Sequence, residues 1–190
     1  MERKSAGAVP VLPTIESVAA QLAVDAESER TTIRVLDPEA VARMSVRGHA
    51  TLLHFALHNL LSNGIKAHRR RGGGARRAIE VLATFAESDR EDLAVAPHGW
   101  VTVSVRDHGD GVPDDLPDNV ANWALPEQPG QGLGIGLSRT ENMIRLSGGR
   151  LWVDTSVTEG SRFCFRLPSA RRPARAAHPT SREDSSDACA

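Results

Sequence analysis

The chain has 190 residues, 40% of them hydrophobic and 25% charged, with 23 basic against 24 acidic side chains and a formal charge of −1. That length favours one globular domain able to bury a core without disulfide or metal staples. Near-neutral charge argues against a nucleic-acid coating protein. Cys164 and Cys189 cannot form a disulfide framework and lack zinc spacing, so a cytoplasmic compartment is expected. No apolar run approaches the roughly 20 residues of a membrane span, and Met1 to Ala8 lead into no signal-peptide core.

In chain order, residues 1–13 read as a flexible tail, small, charged and ending at Pro13. Thr14 to Arg30 carries Ile15, Val18, Leu22 and Val24 among good helix formers and reads as a helix. Thr32 to Leu36 and Val41 to Val46 are expected as short strands around Asp37-Pro38. His49 to Arg69 is the strongest helix, with Leu53, Ala56, Leu57, Leu60, Leu61 and Ile65 on one arc. Ala78 to Ala86 and Trp100 to Arg106 read as strands, and the second alternates Val101, Val103 and Val105 with polar residues. Leu137 to Leu146 is a further helix, stopped by Gly148-Gly149. Strands at Arg150 to Thr155 and Ser161 to Leu167 close the domain, expected over 14–168, and residues 169–190 read as a disordered tail. The pattern predicts an α+β fold, a two-layer sandwich with a mixed sheet covered on one face by three helices.

Three segments carry chemistry. Asn59, Asn63 and Lys66 fall within about 60° of one another on the long helix, away from its core arc. Amide oxygens can enter a Mg²⁺ shell without adding charge, and an ammonium can meet phosphate; a solvated polar face is the alternative. Lys66 is one of only two lysines, with Lys4. His54 and His58 lack the glutamate and third ligand of a metal site and are set aside. Asp107-His108-Gly109-Asp110-Gly111 follows the alternating strand. A carboxylate there can accept from the amine of adenine, where guanine offers a carbonyl; an acidic glycine turn is the alternative. Gly130 to Gly136 opens the second good helix, where free amides favour an anion. The proline-punctuated stretch from Val112 to Pro129 before it reads as a lid or a long connection.

These elements, in this order, resemble the catalytic ATP-binding domain of bacterial sensor histidine kinases, in the gyrase–Hsp90–histidine kinase–MutL superfamily. Asn59-Leu60-Leu61-Ser62-Asn63-Gly64-Ile65-Lys66 is similar to the N box, Asp107 to Gly111 to the G1 box, and Gly132-Leu133-Gly134-Ile135-Gly136-Leu137 to the G2 box. Gly160 to Pro168 is similar to the closing strand, and the match covers about Thr31 to Pro168. The resemblance implies the Bergerat ATP-binding sandwich and two bound species, ATP and Mg²⁺. It places Asn63 on the metal with Asn59 beside it, Lys66 on phosphate, and Asp107 on adenine N6 with Gly109 and Gly111 shaping that pocket. Gly132, Gly134 and Gly136 become the lid hinge and amide donors, and Ser161 a hydrogen-bonding group near adenine.

The chain also departs from that pattern. The lid lacks an obvious phenylalanine, with Trp123 as a substitute, and Arg69 to Gly99 is long, as an extended hairpin. The two-helix phosphoacceptor domain is missing, and Thr14 to Arg30 resembles at most the end of its second helix. The expected function is transfer of the γ-phosphoryl group of ATP to a histidine on a separate acceptor, with a response regulator as indirect partner. A hydrolytic clamp or serine kinase would carry a glutamate four residues before the metal asparagine, where Asn59 stands. A non-catalytic ATP-sensing protein of the same fold is the remaining alternative.

Overall fold

A period-two alternation from Trp100 to Arg106 builds a strand with one apolar face, and the helical periods elsewhere supply the layer that covers it. A computed structural model describes residues 7–71, 76–112 and 134–173. The first half runs β1 (Gly7–Pro10), α1 (Val11–Gln21), α2 (Ala23–Ser28), β2 (Thr31–Val35), α3 (Pro38–Ala42), β3 (Ser45–Gly48) and α4 (Ala50–Arg71). The second runs β4 (Arg77–Ala86), a 3₁₀ turn at Asp92–Ala94, β5 (Trp100–Arg106), α5 (Gly134–Leu146), β6 (Arg150–Val153) and β7 (Arg162–Pro168).

Five strands form a mixed sheet in the order β2-β4-β5-β7-β6. Only β2 and β4 run parallel; the other neighbours are antiparallel. Ala83, Val103, Phe165 and Leu151 sit in register across four strands, all buried on the covered face. Against that face lie Leu53, Leu57, Leu60 and Leu61 of α4, Val11, Ile15 and Val18 of α1, and Leu137 and Ile144 of α5. The α+β sandwich is therefore as expected, with α1, α4 and α5 as its three main helices and α2 and α3 as short additions. No described helix is long and apolar enough to cross a membrane.

Four boundaries differ from expectation. Residues 7–13 are not tail: Gly7–Pro10 pairs antiparallel with β3, and Val9 and Val11 are buried. The stretch from Thr14 to Arg30 divides into α1 and α2, and α1 packs on α4 inside the sandwich rather than standing as the end of an acceptor hairpin. Val41 to Val46 is not one strand. Asp37 accepts a hydrogen bond from the Ala40 amide at 3.1 Å with Pro38 in the first turn, so a helix forms first and β3 starts only at Ser45. At the other end, Ser169 bridges to Val46, and the Ala170 amide donates to the Ser45 carbonyl at 2.9 Å, extending the fold past Pro168. Residues 1–6, 72–75, 113–133 and 174–190 lie outside the described residues, and with them the lid stretch expected after Val112.

Candidate functional site

The polar stripe of α4 lies along one edge of the helical layer. Its 22 residues bury the leucine arc, yet Asn63 is buried as well, at 5% exposure. Its side-chain Nδ2 has no hydrogen-bond partner among the described residues. A buried donor left unpaired costs about 1–3 kcal/mol, so its retention in a packed helix points to an acceptor from outside the described residues. Asn59 is half-buried one turn before it, and Lys66 is exposed one turn after it. His54 and His58 stack with ring centroids 6.3 Å apart, and no third ligand joins them among the described residues.

The first turn of α5 meets that stripe. Asn59 Nδ2 donates to Thr140 Oγ1 at 2.7 Å, and the Thr140 hydroxyl donates to the Gly136 carbonyl at 2.9 Å. Gly136 has no room for a side chain, since a Cβ there would lie 2.5 Å from Asn59 Oδ1. The first amides of a helix have no intrahelical partner. Those of α5, from Gly134 on, thus open beside Asn59 with the positive end of the helix dipole behind them. Gly134 to Leu137 sit inside the helix rather than in a loop before it, and Leu137 is buried in the core. Gly132 and Leu133 fall outside the described residues, as does Trp123. Replacing Gly136 with alanine is expected to displace Asn59 and lower stability by about 1–3 kcal/mol. Thermal unfolding checks this, and Arg139→Ala, at an exposed position of the same turn, serves as control.

Farther along α4, the end of β5 delivers Asp107 to a buried position at 4% exposure. Its Oδ1 accepts the Gly109 amide at 2.8 Å, and the Asp107 amide donates to the Ser161 carbonyl at 2.9 Å. Burial raises the Asp107 pKa above the ordinary carboxylate value, opposed by hydrogen bonds from the Gly109 amide and from the amide and hydroxyl of Ser161. Close packing seats the loop. A Cβ on Gly109 would lie 2.5 Å from that of Ala67, and one on Gly64 would lie 3.4 Å from that of Asp107. Gly160 takes φ +71 and passes against the Asp107 carbonyl, a path that a side chain would block. Gly111, at φ +84, faces Gly160 from the loop.

The geometry thus sets a buried acid among close-packed glycines against α4 near Ala67 and a helix N-terminus against α4 near Asn59. An unpaired amide lies on the helix between. Residues 48–171 match the family described as histidine kinase-, DNA gyrase B-, and HSP90-like ATPase. The chain belongs to this family. Among relatives of this ATPase domain, the two-component sensor PprA of Pseudomonas aeruginosa is 32% identical over 139 residues, covering 73% of this chain and 14% of that protein. The adaptive-response sensory kinase SasA of Synechococcus sp. strain JA-3-3Ab is 28% identical over 164 residues, covering 85% of this chain and 36% of that protein. The chain therefore spans a minor part of the sensor proteins it matches. The fold is that of the mycobacterial sensor histidine kinase MprB, with TM-score 0.63, 19% identity, and coverage of 89% of this chain and 99% of that one. Full-length ShkA in complex with AMPPNP aligns with TM-score 0.65 at 21% identity over 92% of this chain and 33% of that one.

Within the ATPase domain, the structure joins Asn59 to Gly136 through Thr140, and Asp107 to Gly109 and Ser161. Three contributors escape a reading of the sequence alone. Thr140 lies 81 positions from Asn59 and belongs to no box. His68 and Arg71, in the last turn of α4, both contact the loop after Asp107. The first continues the buried arc of the helix and the second sits in a run of arginines, so neither stands out by type.

Proposed function

We propose that this chain is the Mg-ATP-binding catalytic module of a histidine kinase, passing the γ-phosphoryl group of ATP to a histidine on a separate dimerisation segment. The observation that carries the reading is the buried side chain of Asn63 between Asp107 and the N-terminus of α5, whose Nδ2 donor lacks an acceptor that a bound phosphate oxygen can supply. The residues fit the group: neutral amides at Asn59 and Asn63 can offer oxygen to a hard divalent cation, and Lys66 extends from the same helix toward solvent. Bound magnesium supplies charge neutralisation for the phosphates. ShkA is recorded with AMPPNP, and the named relatives are sensors and sensory kinases. Both features support the reading.

The protein's own groups then have distinct tasks. Asp107, fixed by the donors of Gly109 and Ser161, accepts the adenine amine and rejects a guanine carbonyl. Asn63 and Asn59 orient the metal–phosphate group, while Lys66 and the first amides of α5 take phosphate oxygens. The bond between the γ-phosphorus and its bridging oxygen breaks as one forms to the acceptor imidazole nitrogen, and ADP leaves. Such transfer rests on positioning and charge, and the imidazole is its own nucleophile. Asn59 donates to Thr140 and cannot take a proton from water, which favours transfer over hydrolysis. The acceptor segment, a response regulator downstream and a cytoplasmic location belong to the same proposal.

Radiolabelled ATP is the test. The chain alone should stay unlabelled, and a separately supplied dimerisation hairpin from a sensor kinase relative should gain acid-labile, base-stable phosphate. ATP binding with no labelling of any acceptor would favour a nucleotide-sensing role, and steady phosphate release without acceptor would favour a hydrolytic clamp.

A further inference from the structure

Both ring nitrogens of His68 are engaged. The residue is 3% exposed, and its Nε2 accepts the His108 backbone amide at 3.0 Å. A nitrogen that accepts an amide proton carries none itself, so the neutral ring holds its hydrogen on Nδ1. Nδ1 lies 3.0 Å from Thr31 Oγ1, whose own hydroxyl donates to the Glu29 carbonyl at 3.3 Å. The donors therefore run one way, from His68 through Thr31 to the backbone before β2. Arg71 holds the same peptide from its other side. Its Nη1 donates to the carbonyls of His108 at 2.9 Å and Gly109 at 3.2 Å, and it pairs with Glu159 at 2.8 Å.

We propose that His68 is a positioning residue for nucleotide recognition: by gripping the His108 amide it fixes the loop carrying Asp107 against α4, the helix that carries Asn63. The inference rests on Asp107 reading adenine. Were the loop free to shift by an ångström, the base and the phosphates could not both be satisfied, and geometric errors of that size weaken such sites. The strap works only with a neutral ring. Burial, then the positive charges of Arg77 on β4, His108 on the loop and Arg71 on α4, lower the His68 pKa from 6.5 to about 4. On the β2 side, the Glu29 carboxylate is paired with Arg69 at 2.5 Å. A folded-state value below the unfolded one stabilises the fold above pH 6.5 and loses that contribution as pH falls toward about 4.

The test uses the full chain with magnesium and two ligands, ATP and inorganic tripolyphosphate. His68→Phe, which fills the space but accepts no hydrogen bond, should weaken ATP binding about tenfold and leave tripolyphosphate binding unchanged. His68→Gln, whose Oε1 can accept the same amide, should stay within about threefold of wild type for ATP, and should flatten stability between pH 6.5 and 4 relative to wild type. Nitrogen-15 spectra at pH 7 should show hydrogen on Nδ1 and none on Nε2. If His68→Phe does not fold, Thr31→Val, which removes the acceptor for Nδ1–H, should show the same ligand-selective loss. A proton on Nε2, equal losses for both ligands, or full ATP affinity without the strap would overturn the inference. Wild-type protein that binds tripolyphosphate but not ATP would instead remove the reading of Asp107, with the tautomer and pH data still deciding the strap.

Discussion

Replacing Asn63 with alanine is expected to reduce magnesium-dependent ATP binding by at least about a hundredfold while leaving the chain folded. Outer-shell partners of metal sites alone are worth roughly 10–100-fold, so loss of an amide proposed to touch the metal itself should reach the top of that range. The same substitution should not destabilise the protein. Its Nδ2 is buried without a partner, and removing an unsatisfied polar group offsets the small cavity left behind. The melting temperature should hold or rise slightly. Equilibrium dialysis with labelled nucleotide across a magnesium series, next to a thermal melt, checks both halves. Wild-type magnesium dependence in the folded variant contradicts the assignment. An isolated structural asparagine would show the reverse pattern, with stability lost and binding kept.

Changing Asp107 to asparagine is expected to cut the preference for ATP over GTP by at least about a hundredfold. A site built to hydrogen-bond one group discriminates by about 10⁴–10⁵ against an analogue that leaves its polar groups unpaired. Asparagine keeps one oxygen for the Gly109 amide, now 2.8 Å from Oδ1, but turns the other acceptor into a donor. That donor opposes the adenine amine and suits the guanine carbonyl. Competition of ATP and GTP against a fluorescent adenine nucleotide measures the ratio. The pH behaviour supplies a second readout. Burial raises the Asp107 pKa in the folded state, so this group contributes most to stability when protonated, and the contribution is lost as pH rises through its raised value. The asparagine variant should lack that acid-side gain. An unchanged ATP-to-GTP ratio in a folded variant would place adenine recognition elsewhere.

Where the alternation or the helical period is local, the residues announce the element. Trp100–Arg106 is a strand from end to end as expected, because Val101, Val103 and Val105 share one buried face. The arc from Leu53 to Ile65 likewise defines α4. Gly7–Pro10 is different: it buries only Val9, and its partner β3 lies some 35 positions on, so nothing nearby in the chain marks it as a strand. At Val41 to Val46 the apolar spacing suggested a strand, yet Asp37 and Pro38 already carried a helix-start signal, and the cap prevailed.

For the proposed site, Asn59, Asn63 and Asp107 stand out as candidates because their chemistry and spacing are compact. The bond from Asn59 to Thr140 and the ring of His68 against His108 do not. Each depends on packing between elements distant in sequence, and a threonine or histidine on a helix carries no sign of its partner. Gly136 was legible as a glycine in a run, but the reason for it, contact with Asn59 Oδ1, becomes visible only once α4 and α5 are side by side.

Titration calorimetry of ATP into the full chain, with magnesium and again with the metal chelated, tests the shared pocket most directly. The account predicts saturable single-site binding that depends on magnesium and is weakened by GTP substitution. Absence of saturable heat in protein shown to be folded by its thermal melt would contradict it.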